Sequence, residues 1–260
     1  MQNNTLQGQV AIISGALGDL GSAIALGLAK HGADIALGDL AESGEALKNQ
    51  IEKLGRKACY HKIDVTNANQ VQAWVADAEK ILGPATLIIP NAGIFMAVTE
   101  DEFGFEKLKK IMDVNLYGAY FLAKIASRRL VSLRKKGRVV FMGSCAGTIA
   151  QAPSILYCTS KAGLRMLSRC LALELSPHGI LVNEVAPGNV KAGMAKKMFD
   201  QYPGLEQKSA RLFPVRKNVE IEDVVYQFLY LCDPRNDQIT GSTIEVDGGI
   251  RLAFPLAIDS

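Results

Sequence analysis

An apolar strand pattern that runs through a glycine-rich turn into a helix pattern constrains this chain more than any other feature. Residues 9–14 are a continuous apolar run, typical of a parallel strand buried on both faces. GALGDLG follows at residues 15–21, and residues 22–31 have the apolar spacing of a helix. Glycines allow the main chain to approach a pyrophosphate, and the helix N-terminus offers it free N–H groups. This order predicts a dinucleotide site.

A carboxylate stands at the end of the second strand pattern. Residues 33–38 form that strand, and Asp39 follows it, 24 positions after Gly15. A carboxylate about 20 residues past such a turn can accept hydrogen bonds from the adenosine ribose and would repel a 2′-phosphate. NAD is therefore expected rather than NADP. The alternative is that Asp39 caps the helix starting near Glu42.

Strand and helix patterns continue to alternate along the chain. The spacing predicts further strands at 57–63, 85–89, 138–142, 180–185 and 242–246, and helices at 43–54, 67–82, 103–134, 154–176 and 222–231. This alternation predicts an α/β fold: a single-domain Rossmann fold over residues 1–260, with a doubly wound parallel sheet of about seven strands and helices on both faces. Ligands in such sheets bind at the carboxyl ends of the strands, where six candidates fall: Gly15, Asp39, Asp64, Asn91, Ser144 and Gly188.

Three polar groups between residues 144 and 161 suggest proton transfer to or from a C–O group. Tyr157 and Lys161 are four apart, so on a helix they share one face. A fixed cation beside a phenol favours its phenolate, so the pair can move a proton near neutral pH. Ser144 follows a strand pattern, where its hydroxyl could reach the same substrate oxygen. A Tyr-x-x-x-Lys pair also occurs by chance on solvated helix faces.

Composition excludes several other classes. The 260 residues are 48% hydrophobic and 21% charged, with a net charge of +3, too small to indicate nucleic-acid binding. Residues 1–10 have no secretory pattern and no apolar run reaches a membrane span, so a cytoplasmic location is expected. Five scattered cysteines without a C-x-x-C pair indicate reduced thiols rather than disulfides or a zinc site.

Taken together, the motifs give a resemblance. Over residues 6–250 the chain resembles the short-chain dehydrogenase/reductase family. The matching motifs are SGALGDLG at 14–21, Asp64-Val65, PNAG at 90–93, Asn115 inside its helix, Ser144 thirteen residues before Tyr157, YCTSK at 157–161, NEVAPG at 183–188 and TGSTIEVDGG at 240–249.

The resemblance implies a role for each matching residue. The catalytic set would be Asn115 for a proton-relaying water chain, Ser144 for the substrate oxygen, Tyr157 as general acid/base, and Lys161 to bind the nicotinamide ribose and lower the pKa of Tyr157. The cofactor contacts would be Gly15, Gly18, Asp19, Leu20, Gly21, Asp39, Asp64, Val65, Asn91, Ala92, Gly93, Tyr157, Lys161, Pro187, Gly188 and Val190. The resemblance also implies a homotetramer assembled through helices 103–134 and 154–176, and no metal.

Three residues depart from the family pattern. Asp19 stands where the family usually has glycine, and we expect its carboxylate to cap the following helix. Pro90 replaces the first of two asparagines often found there and removes a main-chain donor. Ala192 stands where a threonine commonly contacts the nicotinamide amide.

Residues 187–220, the lid segment, lack strand patterns and stand where a substrate lid would be. From 189 to 219 they carry seven basic and two acidic residues, so 7 − 2 = +5. Either the segment is a solvated cover or it attracts an anionic substrate. A pocket for a small hydroxylated compound, such as a sugar or polyol, could be lined by Ile149, Gln151, Pro153, Leu156, Met194 and Met198.

The sequence predicts an NAD-dependent oxidoreductase that interconverts a secondary alcohol, or a cyclic sugar hemiacetal, with its carbonyl. One alternative is a β-ketoacyl carrier-protein reductase, in which Arg128, Arg129, Arg165 and Arg169 would hold an acidic carrier; Asp39 disfavours it, since those enzymes usually use NADPH. Another is a non-catalytic dinucleotide-sensing protein, which the complete catalytic set disfavours. The apolar tail at 251–260 is expected to pack against something.

Overall fold

We describe the protein from a computed structural model, in which residues 5–97, 104–151 and 154–252 are described. The seven strands found there are β1 Val10–Ser14, β2 Asp34–Asp39, β3 Ala58–Lys62, β4 Leu87–Ile89, β5 Gly137–Met142, β6 Ile180–Pro187 and β7 Thr243–Val246. They form one parallel sheet in the order β3-β2-β1-β4-β5-β6-β7. The order reverses between β1 and β4, which opens a crevice at their carboxyl ends.

Helices cover both faces of this sheet. The α-helices in the described ranges are α1 Asp19–Lys30, α2 Glu45–Lys53, α3 Ala68–Leu82, α4 Phe105–Met112, α5 Ala119–Ser132, α6 Ile155–Leu175, α7 Gly193–Gln201, α8 Leu205–Leu212 and α9 Ile221–Cys232. One core lies under α1, α2 and α9, and a second lies under α3, α5 and α6. The doubly wound Rossmann fold predicted from the strand spacing is confirmed.

The helix predicted over residues 103–134 is not a continuous α-helix. Asp113–Gly118 form a π-helical turn between α4 and α5, and Asn115 lies fully buried within that turn. A π-turn inserts one extra residue into the helix and often marks a functional site. An asparagine competes for main-chain groups in a helix interior, and here it lies in this irregular turn.

The lid segment is more ordered than its sequence pattern indicates. It contains α7 and α8, and a single bridge pairs Val190 with Val219. Phe213 and Val219 are buried in the core beneath α9. The segment is therefore anchored at its carboxyl-terminal side. The tail at 251–260 was expected to pack against another surface, but its residues from 253 onward lie outside the described ranges.

Candidate active site

Hydrogen bonds join the loops after β1 and β4 into one unit. The Ser14 hydroxyl accepts from the main-chain N–H groups of Asn91 and Ala92, both at 3.2 Å. The Asn91 amide donates to the carbonyls of Ser14 at 3.1 Å and Gly15 at 2.9 Å. The amide therefore fixes Gly15, the first residue of the glycine turn. Pro90, which precedes Asn91 and lacks a main-chain N–H, takes no part in these bonds and leaves them intact.

The glycines of the turn are required for two different reasons. Gly15 has φ of +61°, and a Cβ at Gly21 would lie 2.1 Å from the Gly15 carbonyl oxygen, so neither position accepts a larger residue. A Cβ at Gly18 would meet only the Gly15 oxygen, at 3.6 Å, and Gly18 is exposed. The turn thus offers an open main-chain cradle at the start of α1, the kind of surface that fits a pyrophosphate. Leu20 packs inward against the core.

Asp39 lies at the carboxyl end of β2, beside this turn. Its Oδ2 accepts from Leu17 N at 2.9 Å and its Oδ1 from Ala41 N at 3.4 Å. Helix α2 begins only at Glu45, with Gly44 as its N-cap residue, so the alternative that Asp39 caps this helix is wrong. Each carboxylate oxygen keeps a further lone pair for a ligand hydroxyl.

Asp19 does not cap α1, contrary to the expectation. Gly18 occupies the cap position, no side chain caps the helix, and Asp19 is its first residue. The Asp19 carboxylate instead accepts a 2.7 Å hydrogen bond from Gly193 N, where α7 of the lid segment begins. Its charge still lies at the favourable end of the helix dipole. Asp19 therefore ties the glycine turn to the lid segment.

The other predicted cofactor residues also lie at the carboxyl edge of the sheet. Asp64 follows β3, and its Oδ1 accepts from the Thr66 N–H at 2.9 Å and hydroxyl at 2.8 Å. Val65 is buried against the π-turn. Pro187 ends β6, Gly188 N donates to Val246 O at 2.9 Å, and Val190 is buried.

Lys161 is buried at the centre of this edge. Its Nζ donates to the carbonyl of Met142, at the end of β5, at 2.8 Å and lies 5.7 Å from the centroid of the Tyr157 ring. A Cβ built on Gly93 would lie 3.5 Å from Asn115 Oδ1 and 3.7 Å from Lys161 Nζ. Burial lowers the pKa of Lys161 to about 8, against the opposing charge of Glu184.

Tyr157 and Ser144 form the other side of the same site. Burial raises the pKa of Tyr157, and a hydrogen bond with the Ser144 hydroxyl lowers it. The resemblance assigns the lowering to Lys161; in this structure burial is the largest influence and acts in the opposite sense. The Ser144 hydroxyl also accepts from Ala146 N at 3.1 Å. Phe95 meets the Tyr157 ring edge-on, with centroids 5.4 Å apart and planes at 68°.

Asn115 connects the two sides. Its side chain exchanges hydrogen bonds with the main chain of Ile94, at 2.8 and 2.9 Å, and donates to the Ser160 hydroxyl at 3.1 Å. That hydroxyl donates to the Tyr157 carbonyl at 2.8 Å. The loop after β4 is thereby held against α6, the helix that carries Tyr157 and Lys161.

Comparison with known proteins decides the family. Residues 15–251 match a family model described as enoyl-(acyl carrier protein) reductase. A short-chain dehydrogenase/reductase of Armillaria gallica is 36% identical over 94% of this chain and 96% of its own length. The chain belongs to the short-chain dehydrogenase/reductase family.

Two further members of the family are informative. The L-rhamnose 1-dehydrogenase (NAD(P)(+)) of a Sphingomonas species, strain SKA58, is 30% identical over 94% of this chain and 97% of its own. A solved structure of NAD⁺-bound xylitol dehydrogenase superposes with a TM-score of 0.88 at 26% identity, covering 94% of this chain and 99% of that one. These proteins share the fold and the family. The substrates in their names are those of these two proteins.

Sequence reasoning missed Phe95 and Glu184, and it gave Arg165 a role only in the carrier-protein alternative. Phe95 at the Tyr157 ring had no distinguishing pattern. Arg165 is buried and bonds the fully buried Glu184. The available signal was Glu184 itself, a charged residue inside the buried strand β6. Of the predicted pocket residues, Pro153 and the side chains of Met194 and Met198 lie outside what the structure describes.

Two kinds of feature are absent from the described ranges. No group of three or more His, Cys, Asp or Glu side chains there could hold a metal ion. None of the helices there is long and apolar enough to cross a bilayer.

Proposed function

We propose that this family member is an NAD-dependent oxidoreductase acting on a secondary alcohol or ketone, or on a sugar hemiacetal carbon. The observation that carries the proposal is the buried Lys161 ammonium beside the Tyr157 ring, at the crevice edge that also holds the glycine cradle. A phenol between a cation and a hydroxyl can exchange a proton with a substrate oxygen. The nicotinamide would supply or accept the hydride.

The other steps, which are proton transfer, substrate binding and cofactor binding, fall to different residues. Tyr157 gives the proton to, or takes it from, the substrate oxygen, and Ser144 holds that oxygen by its hydroxyl. Lys161 supports the phenolate electrostatically and would bind the nicotinamide ribose. Asn115 fixes the loop after β4 against α6. The cofactor would lie along Gly15, Gly18 and Gly21, beside Asn91 to Gly93, and against Pro187, Gly188 and Val190, with Asp64 and Val65 nearer its adenine end.

Asp39 supports NAD over NADP. Its carboxylate lies beside the glycine turn, bonded to Leu17 N, where a ribose hydroxyl would reach it and a 2′-phosphate would be repelled. The relatives do not decide the matter, since one is named for both cofactors and another was solved with NAD⁺.

The names of those relatives favour a sugar or polyol as substrate. Phe95 supports this class, because a partly exposed aromatic ring beside Tyr157 offers a surface for the apolar C–H face of a sugar ring. The lid segment keeps its excess of basic residues, although Lys191 pairs with Glu206 inside it. An anionic sugar acid is thus a second class to include among the substrates tested.

We also propose that the chain forms a homotetramer through α5 and α6. In support, these helices expose Tyr120, Met166 and Leu173, the last of them at 82%. The cytoplasmic location expected from the sequence stays a prediction.

The deciding experiment measures absorbance of the reduced nicotinamide, with NAD and NADP side by side, against sugars, polyols and hydroxy acids. We expect NAD-dependent turnover that falls by about 10²- to 10⁴-fold in Tyr157→Phe. Turnover surviving in that variant, or a preference for NADP, would overturn the assignment of Tyr157 or Asp39. Cofactor binding without turnover across the panel would favour a dinucleotide-sensing protein.

The structure weakens the acyl-carrier alternative. Arg165 is buried, and Arg129 is held by both carboxylate oxygens of Glu79. Of the four arginines proposed to hold a carrier, Arg128, Arg129 and Arg169 are exposed, and Arg129 is already paired with Glu79.

A further inference from the structure

A buried guanidinium lies directly behind the loop that carries Ser144. Arg165 stands on α6 one turn after Lys161 and is 8% exposed. Its Nε and Nη2 donate to the two oxygens of Glu184 at 2.9 and 3.3 Å, and its Nη1 lies 3.1 Å from Glu245 Oε1. Carboxylates of β6 and β7 therefore fix the orientation of the guanidinium plane.

The same guanidinium also contacts the catalytic loop. Nη2 donates to the main-chain carbonyl of Ser144 at 3.2 Å, and Nη1 donates to the Thr148 hydroxyl. These two residues flank the short 3-10 turn Cys145–Gly147. One planar group thus holds both ends of the turn that follows Ser144.

The anchor behind Arg165 is buried and closely packed. Glu184 is fully buried and also accepts from the Thr243 hydroxyl at 2.8 Å. A Cβ at Gly143 would lie 1.9 Å from Glu184 Oε1, so the residue before Ser144 must be glycine for the carboxylate to fit. The Glu184 carboxylate therefore fills the space that a side chain at Gly143 would need, and the loop packs directly against the charge pair.

The charges around this pair extend to the proposed proton-transfer groups. Glu184 acts on Lys161 and raises its pKa against burial. Glu245 is surrounded by Arg165, Arg251, Asp247 and Glu184, and burial raises its pKa. The Arg165–Glu184 pair thus lies between Glu245 of β7 and the buried Lys161 ammonium.

We propose that Arg165 is a positioning residue for Ser144: bonded to Glu184, it fixes the backbone on both sides of the 3-10 turn and so directs the Ser144 hydroxyl toward the Tyr157 phenol and the substrate oxygen. The inference rests on the proposed function. It assigns a positioning role to Arg165 on α6 and Glu184 on β6, two residues outside the set of Tyr157, Lys161 and Ser144.

The first test compares two conservative variants on α6. Arg165→Lys keeps the charge but cannot bond Glu184, Ser144 and Thr148 at once, because an ammonium lacks the planar fork. We expect kcat to fall about tenfold or more, with NADH affinity, measured by fluorescence titration, within about twofold of wild type. Arg169→Lys, one turn along and exposed, is the matched control. Equal kcat values for the two variants would overturn the proposal.

A pH profile separates positioning from general loosening. The Ser144 hydrogen bond lowers the pKa of Tyr157, whose other titratable neighbours are Lys161, Cys145 and Cys158. Loss of Ser144 alignment therefore raises the pKa of Tyr157, and we expect the pH dependence of alcohol oxidation in Arg165→Lys to move to higher pH. A lower kcat with an unmoved profile would contradict the proposed route through Ser144.

A double variant covers the case of poor folding. Arg165→Met alone leaves Glu184 as an unpaired buried carboxylate, which destabilises the protein. Arg165→Met with Glu184→Gln removes that charge, so we expect the melting temperature to recover while kcat stays low. Recovery of both would show that the loop does not need Arg165. If wild-type turnover survives Tyr157→Phe, the proposed function has failed instead, whatever these variants do.

Discussion

The loops after β1 and β4 and the loop after β5 meet at one edge of the sheet, yet they are stabilised by opposite means. The first pair is shaped by the main chain: Gly15 and Gly21 lie in close contact, and the Asn91 amide bonds the Gly15 carbonyl. The second is shaped by buried charge, with Lys161 on the Met142 carbonyl and Arg165 on Glu184.

This difference predicts what each region tolerates. A close main-chain contact has no space for one additional carbon, so the cofactor side should be sensitive to side-chain volume. Each member of a buried ion pair depends on the other, because removing one leaves the remaining charge buried without a partner and without water. The catalytic side should therefore be sensitive to charge, and its ionisable groups should reduce stability where they serve the chemistry.

The largest effect should come from adding volume to the cofactor side. In Gly21→Ala the new Cβ would lie 2.1 Å from the Gly15 carbonyl oxygen, so the turn must move. We expect the free energy of unfolding to fall by about 3 kcal/mol or more and NADH binding to be lost in fluorescence titration. Gly18→Ala is the matched control, since its Cβ meets only ordinary contact at 3.6 Å. Equal melting temperatures for the two variants would contradict the steric account.

A smaller and opposite effect on stability should come from removing charge on the catalytic side. The pKa of Lys161 is about 8 in the fold, below its ordinary value of 10.5. Below pH 8 the wild type therefore bears the cost of burying a cation, and that cost disappears as pH rises from about 8 to 10.5.

Lys161→Met should therefore lose about 100-fold or more in turnover while unfolding at a higher denaturant concentration at pH 7. The gain should approach about 3 kcal/mol at most, since each pKa unit corresponds to about 1.4 kcal/mol, and should shrink above pH 8. Denaturant unfolding at pH 7 and pH 9.5 measures it. A variant less stable than wild type at both values would show that the Met142 hydrogen bond outweighs the buried charge.

The smallest effect should come from Asp19, which belongs to the cofactor side by sequence but bonds the lid segment. In Asp19→Gly we expect NAD affinity to stay level or improve, because a carboxylate near the pyrophosphate is removed, and the substrate KM to rise about two- to fivefold as Gly193 N loses its acceptor. Asp19→Asn keeps an acceptor oxygen and is the control for KM. A large loss of NAD affinity in Asp19→Gly would mean that this carboxylate supports the cofactor.

The strands and the glycine turn could be predicted because their signals are local. A buried parallel strand is a run of apolar residues, and Gly15 to Gly21 form one continuous turn, so both are visible in a few residues. Asn115 was visible for a related reason: its short amide is unfavourable inside a helix unless something else holds it. The π-turn is what accommodates it.

The remaining features depend on distant partners. Arg165 and Glu184 lie on a helix and a strand and are each unremarkable until the fold joins them; only the charge within β6 pointed to a partner. Asp19 was expected to cap α1 because that is the commonest local use of an aspartate there, but its acceptor role depends on Gly193, 174 residues away. The helices of the lid segment were missed because they are short and mostly polar.

The π-turn at Asp113–Gly118 makes the site depend on the number of residues in this helix as well as on their identity. A π-turn holds one residue more than the α-helical turn it replaces, so the helices on either side keep nearly the orientation they would have without it. One deletion inside the turn would therefore restore a regular helix with little rotation of α4 against α5, but it would remove the bulge in which Asn115 bonds the Ile94 main chain. Substitutions in the turn leave that bulge in place, whereas a change in its length takes away the support of the loop after β4.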